Sequence, residues 1–173
     1  MLSIRPETPD DDDAITRVVT QAFGGMAEAR LVQAIRGEVT FSRELSLVAI
    51  KSDKIVGHIL FSLIHIEDDR GRSTPAIALA PMAVLPEFQR QGIGSALVQR
   101  GLTACLENGH QIVIVLGHAD YYPRFGFERA SQYGLRAPWD CDDSAFMVKG
   151  LTENALKGVS GVVRYPSSFD VVE

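Results

Sequence analysis

Residues 79–95 read LAPMAVLPEFQRQGIGS, an apolar stretch that passes through a short polar loop into what its spacing predicts is a helix. Gly92 and Gly94 at that junction remove the side chains that would keep a ligand away. Main-chain N–H groups at the helix start can then point at an anion, and a pyrophosphate is the anion such a helix head suits. Two glycines ahead of a helix also serve tight packing or a turn, so the surrounding residues have to separate these readings. A dinucleotide fingerprint would add a third glycine and an acidic ribose ligand about 20 residues on, and a Walker loop would read Gly-Lys-Ser/Thr. Neither pattern is present. Pro81 cannot donate to a sheet ladder, so in the middle of an apolar strand it marks a bulge or an edge. A bulge would splay this strand from its neighbour. Main-chain groups near Met82, Ala83 and Val84 would then be left for an amide-bearing ligand arm such as pantetheine to pair with.

On these residues the chain resembles the GNAT superfamily of N-acetyltransferases, whose coenzyme A signature Gln/Arg-x-x-Gly-x-Gly/Ala is met by Gln89, Arg90, Gln91, Gly92, Ile93 and Gly94. The upstream LAPMAVLP and the later IVIVLGH and YYPRFGF are similar to a bacterial subgroup of predicted acetyltransferases, and the likeness spans residues 2–150. It implies an enzyme that takes an acetyl group from acetyl-CoA and passes it directly to a primary amine, on a small molecule or on a peptide or protein. It further implies that main-chain amides from Gln89 to Ser95 hold the pyrophosphate, with Arg90 adding a charge-assisted contact. Met82, Ala83 and Val84 would pair with pantetheine, although Met82 and Val84 also suit an ordinary core.

Tyr122, in YYPRFGF, matches the family tyrosine that protonates the departing thiolate. A phenol with a pKa near 10 suits a thiolate whose conjugate acid lies at roughly 8.5 to 10, where an aliphatic hydroxyl is far too weak an acid. The other reading of Tyr122 is a buried aromatic packed on its neighbours, and Pro123 requires its helical segment to begin at or just after it. An amine of lysine type must also lose a proton, at a cost of roughly 4 to 5 kcal/mol in neutral water. His118, at the end of a central strand, is the first candidate base, followed by Glu28 and Glu44; a bonded loop histidine and solvated carboxylates describe them too. Cys105 and Cys141 fall outside the matched motifs, so no acyl-enzyme is expected. Two rivals stand beside this reading. A non-catalytic acyl-CoA sensor or subunit would need Gly92 and Gly94 but not Tyr122, and the third possibility is a transferase of longer acyl groups.

These residues need a scaffold. Strands are expected over 2–5, 45–50, 55–66, 74–85 and 111–116, with shorter ones near 127–129, 146–148 and 162–165. Helices are expected over 14–23, with capping carboxylates from Asp10 to Asp13, and over 26–36 and 92–106. The 92–106 helix carries apolar residues on two sides and reads as largely buried. Strand 111–116 follows it as in a strand, helix, parallel-strand unit. The fold class is therefore α/β in the α+β sense: a mixed, mostly antiparallel sheet of about six or seven strands flanked by helices, with a splayed central parallel pair.

At 173 residues, 46 % hydrophobic and 23 % charged, the chain suits one domain over 1–173, with 151–173 a C-terminal extension packed on it. Lys and Arg number 17 against 22 Asp and Glu, a net −5 that argues against nucleic acid. The N-terminus lacks the apolar core of a signal peptide and no run approaches a membrane span, so a cytoplasmic location without a membrane partner is expected. His58 and His65 have alternating apolar neighbours, and His110 sits at a turn. Asp140, Cys141, Asp142 and Asp143 read as a carboxylate-rich turn, and no metal is expected. A homodimer is left open.

Overall fold

Val, Ile and Leu crowd the middle of the sequence, and the longest strands lie there. The computed structural model describes residues 1–172. Its strands are β1 (Leu2–Pro6), β2 (Ser46–Lys51), β3 (Lys54–Glu67), β4 (Ser73–Val84), β5 (Ile112–Leu116), β6 (Glu128–Arg129), β7 (Leu135–Arg136), β8 (Phe146–Gly150) and β9 (Gly161–Arg164). The helices are α1 (Asp12–Phe23), α2 (Ala27–Arg36) and α3 (Ile93–Glu107). The sheet runs β1-β2-β3-β4-β5-β8-β6, with β9 pairing both β3 and β7. It is mixed and mostly antiparallel, with β4–β5 a parallel pair. Among the described residues its nine strands exceed the expected six or seven; β6 falls within the strand expected near 127–129, whereas β7, at two residues, is too short to carry a periodic signal.

The chain divides into two compact units. The first takes Met1–Ser62, Ala80–Ala104 and the residues from Ser167; the second takes Leu63–Leu79 and Cys105–Pro166, and β3 and β4 run through both.

In the first unit β2 and β3 form an antiparallel hairpin whose register shifts once. Ala49 faces Gly57 but Ile50 faces Ile55, so Val56 is an extra residue in β3. Gly57 and Phe61 point to the face on which α3 lies: a Cβ on Gly57 would come 3.0 Å from Leu97 Cδ1, and one on Gly101 would come 2.3 Å from the Phe61 ring. Val18 and Val19 on α1 and Leu31, Val32 and Ile35 on α2 are buried, each contributing roughly 1.5–3 kcal/mol. Helix α1 starts two residues before the expected Ala14. Of the Asp10 to Asp13 cluster, Asp11 closes the turn ahead of α1 and Asp12 pairs with Arg36. Asp11 accepts from the Thr8 N–H at 2.7 Å and from the Arg5 guanidinium at 2.7 Å, and the Arg5 bond leads the causes that push its carboxyl down to about 2. The C-terminal 3-10 turn Ser167–Val172 packs on α2.

In the second unit the parallel ladder joins Ile77, Ala78 and Leu79 to Val113, Ile114 and Val115. This ladder ends two residues before Pro81, in keeping with a proline that has no hydrogen to give. On its other side β5 pairs with β8 from Ile112↔Gly150 to Leu116↔Phe146. Val113, Ile114 and Val115 are buried, as a strand covered on both faces requires.

The contact between Gly101 and Phe61 gives a direct test of how α3 sits on β3. Gly101→Ala should destabilise by about 1–3 kcal/mol in urea unfolding, because overpacking outweighs the better helix propensity of alanine. Adding Phe61→Leu should restore most of the loss.

Candidate active site

The loop from β4 to α3 is built from the first unit alone. Leu85 leaves the strand with its N–H donating to the Val56 carbonyl at 2.8 Å, and residues Pro86–Phe88 make one 3-10 turn. The Gln89 side-chain amide donates back to the Val84 carbonyl at 3.0 Å. Arg90 takes φ 62° and Gly92 φ 84°. These two left-handed residues turn the chain sharply into the helix, and at Gly92 only glycine does so without strain. Within 4 Å of where a Cβ on Gly92 would lie there is nothing, so the approach to the helix head is open. The Ala96 N–H donates to the Gly92 carbonyl at 3.0 Å, which makes Gly92 the cap residue. The N–H groups that follow have no carbonyl four residues back to bond. The side chain of Lys51, at the end of β2, donates to Gln91 Oε1 at 2.8 Å, and Lys54 lies 3.9 Å from Glu87. Arg90 and Gln91 are exposed, Ile93 is buried and Gly94 and Ser95 are half-buried. In β4, Ala83 and Val84 are buried and Met82 half-buried, with one lone pair of the Val84 carbonyl already used by Gln89.

On the other face of the β2–β3 hairpin lies a polar cluster that sequence patterns did not bring together. Glu7, Ser46 and His58 are all buried, with neither the Glu7 nor the His58 side chain exposed. Ser46 Oγ donates to Glu7 Oε1 and lies 2.9 Å from His58 Nε2. Glu7 Oε2 accepts from Arg36 Nε at 3.1 Å and from Arg43 Nη1 at 3.2 Å, and Arg36 Nη1 pairs with Asp12 at 3.4 Å. With its proton committed to the carboxylate, the serine oxygen can only accept from His58, which places the imidazole hydrogen on Nε2. His58 Nδ1 has no partner among the described residues, and a bare acceptor there fits a neutral ring. Burial, opposed by Glu7, holds His58 below its ordinary value. Burial would raise Glu7, but the bonds from His58 and Ser46 and the Arg36 charge bring it below its ordinary value. Ser, His and Glu in succession can make a nucleophile, but with all three buried no acyl group reaches this one.

In the second unit, β5 ends at Leu116 and the chain turns at Gly117, whose N–H donates to the Ala145 carbonyl at 2.9 Å. The 3-10 turn Tyr122–Phe125 follows, with Pro123 in its first turn, as the sequence required. Tyr122 is 7 % exposed. Its ring covers Gly117, where a Cβ would come 2.4 Å from Cε2, and meets Tyr121 and Phe127 edge-on at 5.1 and 5.7 Å. Burial, helped by Tyr121, pushes its hydroxyl up to about 12. His118 is exposed, and its carbonyl accepts the Tyr121 N–H at 3.1 Å. Glu28 is half-buried on α2 and Glu44 exposed, both in the first unit, so His118 is the candidate base that shares a unit with Tyr122. Asp142 accepts from the Ser144 N–H at 3.1 Å and Asp143 pairs with Arg129 at 3.4 Å, the bonds of a turn. Among the described residues no three His, Cys, Asp or Glu side chains could hold a metal ion together, and no helix is long and apolar enough to cross a membrane.

Residues 3–130 match the family model described as an acetyltransferase (GNAT) domain. The chain is 35 % identical to the uncharacterized N-acetyltransferase YhbS of Escherichia coli K12 over 168 residues, covering 96 % of this chain and 98 % of that one. It is 40 % identical to the uncharacterized N-acetyltransferase YjhQ of the same strain over 153 residues, covering 85 % and 84 %. The crystal structure of E. coli YhbS in complex with CoA superposes with a TM-score of 0.89 over 98 % of this chain and 92 % of that one, at 35 % identity. A GNAT family acetyltransferase from Brucella melitensis in complex with acetyl-CoA gives 0.80 over 98 % and 99 %, at 30 % identity.

The buried cluster has a titration signature. The folded protein resists protonating His58 while the unfolded chain does not, so stability is complete above pH 6.5 and falls as the pH drops below it, levelling off once folded His58 itself titrates. The lowered Glu7 adds a second loss below pH 4.5. Urea unfolding between pH 5 and 8 should show the first loss, and His58→Gln should keep only the part owed to His110, which burial also depresses.

Proposed function

The chain belongs to the GNAT family of acetyltransferases, and on that footing we propose that it holds acetyl-CoA at the head of α3 and transfers the acetyl group straight to a primary amine. As a member of this family it is an N-acetyltransferase. The observation that carries the donor assignment is the open helix head, where Gly92 at φ 84° has free space in front of it. Main-chain N–H groups from Arg90 to Gly94 take the pyrophosphate there, the Gln89 N–H being spent on the Pro86 carbonyl at 3.3 Å, and Arg90, exposed beside them, supplies a positive charge. Met82, Ala83 and Val84 offer main-chain partners to the pantetheine amides. The coenzyme supplies the activated thioester; the chain supplies its placement and the proton traffic.

Tyr122 returns a proton to the leaving sulfur. Its raised pKa does not disqualify it, because burial acts on thiols in the same direction. The buried Cys105 thiol is also pushed up to about 12, level with the Tyr122 hydroxyl. A leaving sulfur held in a setting as dry as the tyrosine's is likewise made more basic, which favours its taking the proton. His118, exposed after β5, takes the proton of the incoming amine directly or through water.

Two measurements test this reading. Gly94→Glu sets bulk and negative charge against the pyrophosphate and should abolish acetyl-CoA binding in calorimetry; unchanged affinity would remove the donor from this loop. In thiol-release kinetics with a panel of amines, Tyr122→Phe should lower kcat by about 10²-fold with little change in the KM for acetyl-CoA. His118→Ala, in the same assay, should lower kcat with every amine and leave the affinity for acetyl-CoA unchanged. Tight acetyl-CoA binding with no turnover on any amine would instead identify a non-catalytic acyl-CoA-binding module.

A further inference from the structure

The donor loop does not hold its own shape. Its entry is fixed by the Leu85 N–H bond to the Val56 carbonyl, and Val56 is the extra residue of the β3 bulge. Its exit is held by Lys51 on Gln91, with Lys54 beside Glu87. All three props belong to one hairpin, so the loop is placed only as well as β2 is registered against β3.

A bulge is where that register is most easily lost, because one residue on β3 lacks a partner and the strands can slide to a neighbouring pairing. Ser46 and His58 stand just past it, on the face turned away from α3. They sit diagonally across the two strands, Ser46 opposite Leu60 and Val48 opposite His58. The 2.9 Å bond between them ties one strand to the other by side chains. Glu7 takes the serine proton, and its own N–H donates to the Ser46 carbonyl at 2.8 Å. Arg36 and Arg43 fix the second carboxylate oxygen, and Asp12 balances Arg36. A shift of one residue would carry His58 to the α3 face and strand Glu7 with two arginines. The cluster therefore selects one pairing of the hairpin against the others.

We propose that Glu7, Ser46 and His58 are positioning residues for coenzyme binding: by locking β2 against β3 beside the Val56 bulge, they set the carbonyl and the lysine that shape the donor loop from behind. None of the three touches the coenzyme. The inference rests on the donor assignment above and extends it to residues outside the signature.

Calorimetry with CoA, well below the melting temperature of every variant, tests it together with kcat at saturating acetyl-CoA. Ser46→Ala and His58→Leu should each raise the Kd for CoA by about five- to tenfold, the scale of one lost buried hydrogen bond, while kcat stays within about twofold. His58→Gln, which keeps a donor in reach of Ser46, should recover most of the affinity. If His58→Leu fails to fold, Ser46→Ala removes only a hydroxyl and carries the test. A merely structural cluster would lower the melting temperature and leave the Kd unmoved, and that result overturns the proposal. Wild-type protein that binds no CoA would overturn the donor assignment itself, whereas wild-type binding matched by all three variants overturns only this extension.

Discussion

The first turn of a helix carries N–H groups that the helix cannot satisfy, and it becomes a diphosphate cradle only when the chain arrives at an angle that leaves those groups facing outward. Here that angle is made by Arg90 and Gly92, both with positive φ. Arg90 is not a glycine, so its conformation costs on the order of 1 kcal/mol or more and has to be held by its surroundings. Gln89 bonded to Val84, Leu85 bonded to Val56 and Gln91 bonded to Lys51 supply that hold on both sides of the strained residue. The first unit can be read as layers of support for one turn of main chain. Below the loop is the hairpin, behind the hairpin the buried ionic cluster, and α1 and α2 present Asp12 and Arg36 to that cluster.

Tyr122 solves a different problem by similar means. An acid must stay protonated until a base appears, and a dry setting does this by making its anion costly. The glycine at 117 lets the tyrosine ring come close against the chain, and the rings of Tyr121 and Phe127 meet it edge-on. Both chemical segments follow the C-terminal ends of the two strands that pair in parallel, β4 and β5, where loops in α/β sheets commonly carry function.

What could be read in the sequence was local. The signature at 89–94, the helix after it and the short turn around Tyr122 each show within a few neighbouring residues, and the structure bears out the elements that carry them. The cluster behind the hairpin was illegible because its members are scattered. Glu7 and Ser46 stand 39 residues apart, Arg36 and Glu7 29, and Ser46 and His58 12. Only the apolar neighbours of His58 hinted that this histidine was inside. The bulge was hidden for another reason: Val56 is as good a strand former as the residues around it, so nothing marks it as surplus. At the head of α1 four aspartates offered themselves, and Arg5 rather than the helix chose among them.

That surplus residue has an evolutionary consequence. Cross-strand partners share a face, so deleting Val56 would leave Ile55 and Gly57 opposite Ile50 and Ala49 with their faces unchanged, but it would remove the carbonyl that takes the Leu85 N–H. Substitution leaves that carbonyl in place, whereas removing a paired residue would turn one end of β3 over. The hairpin can thus drift in composition but is frozen in length, and insertions or deletions in descendants should collect instead at the exposed bend from Asp69 to Arg72, where an added residue changes no parity and uncovers no core.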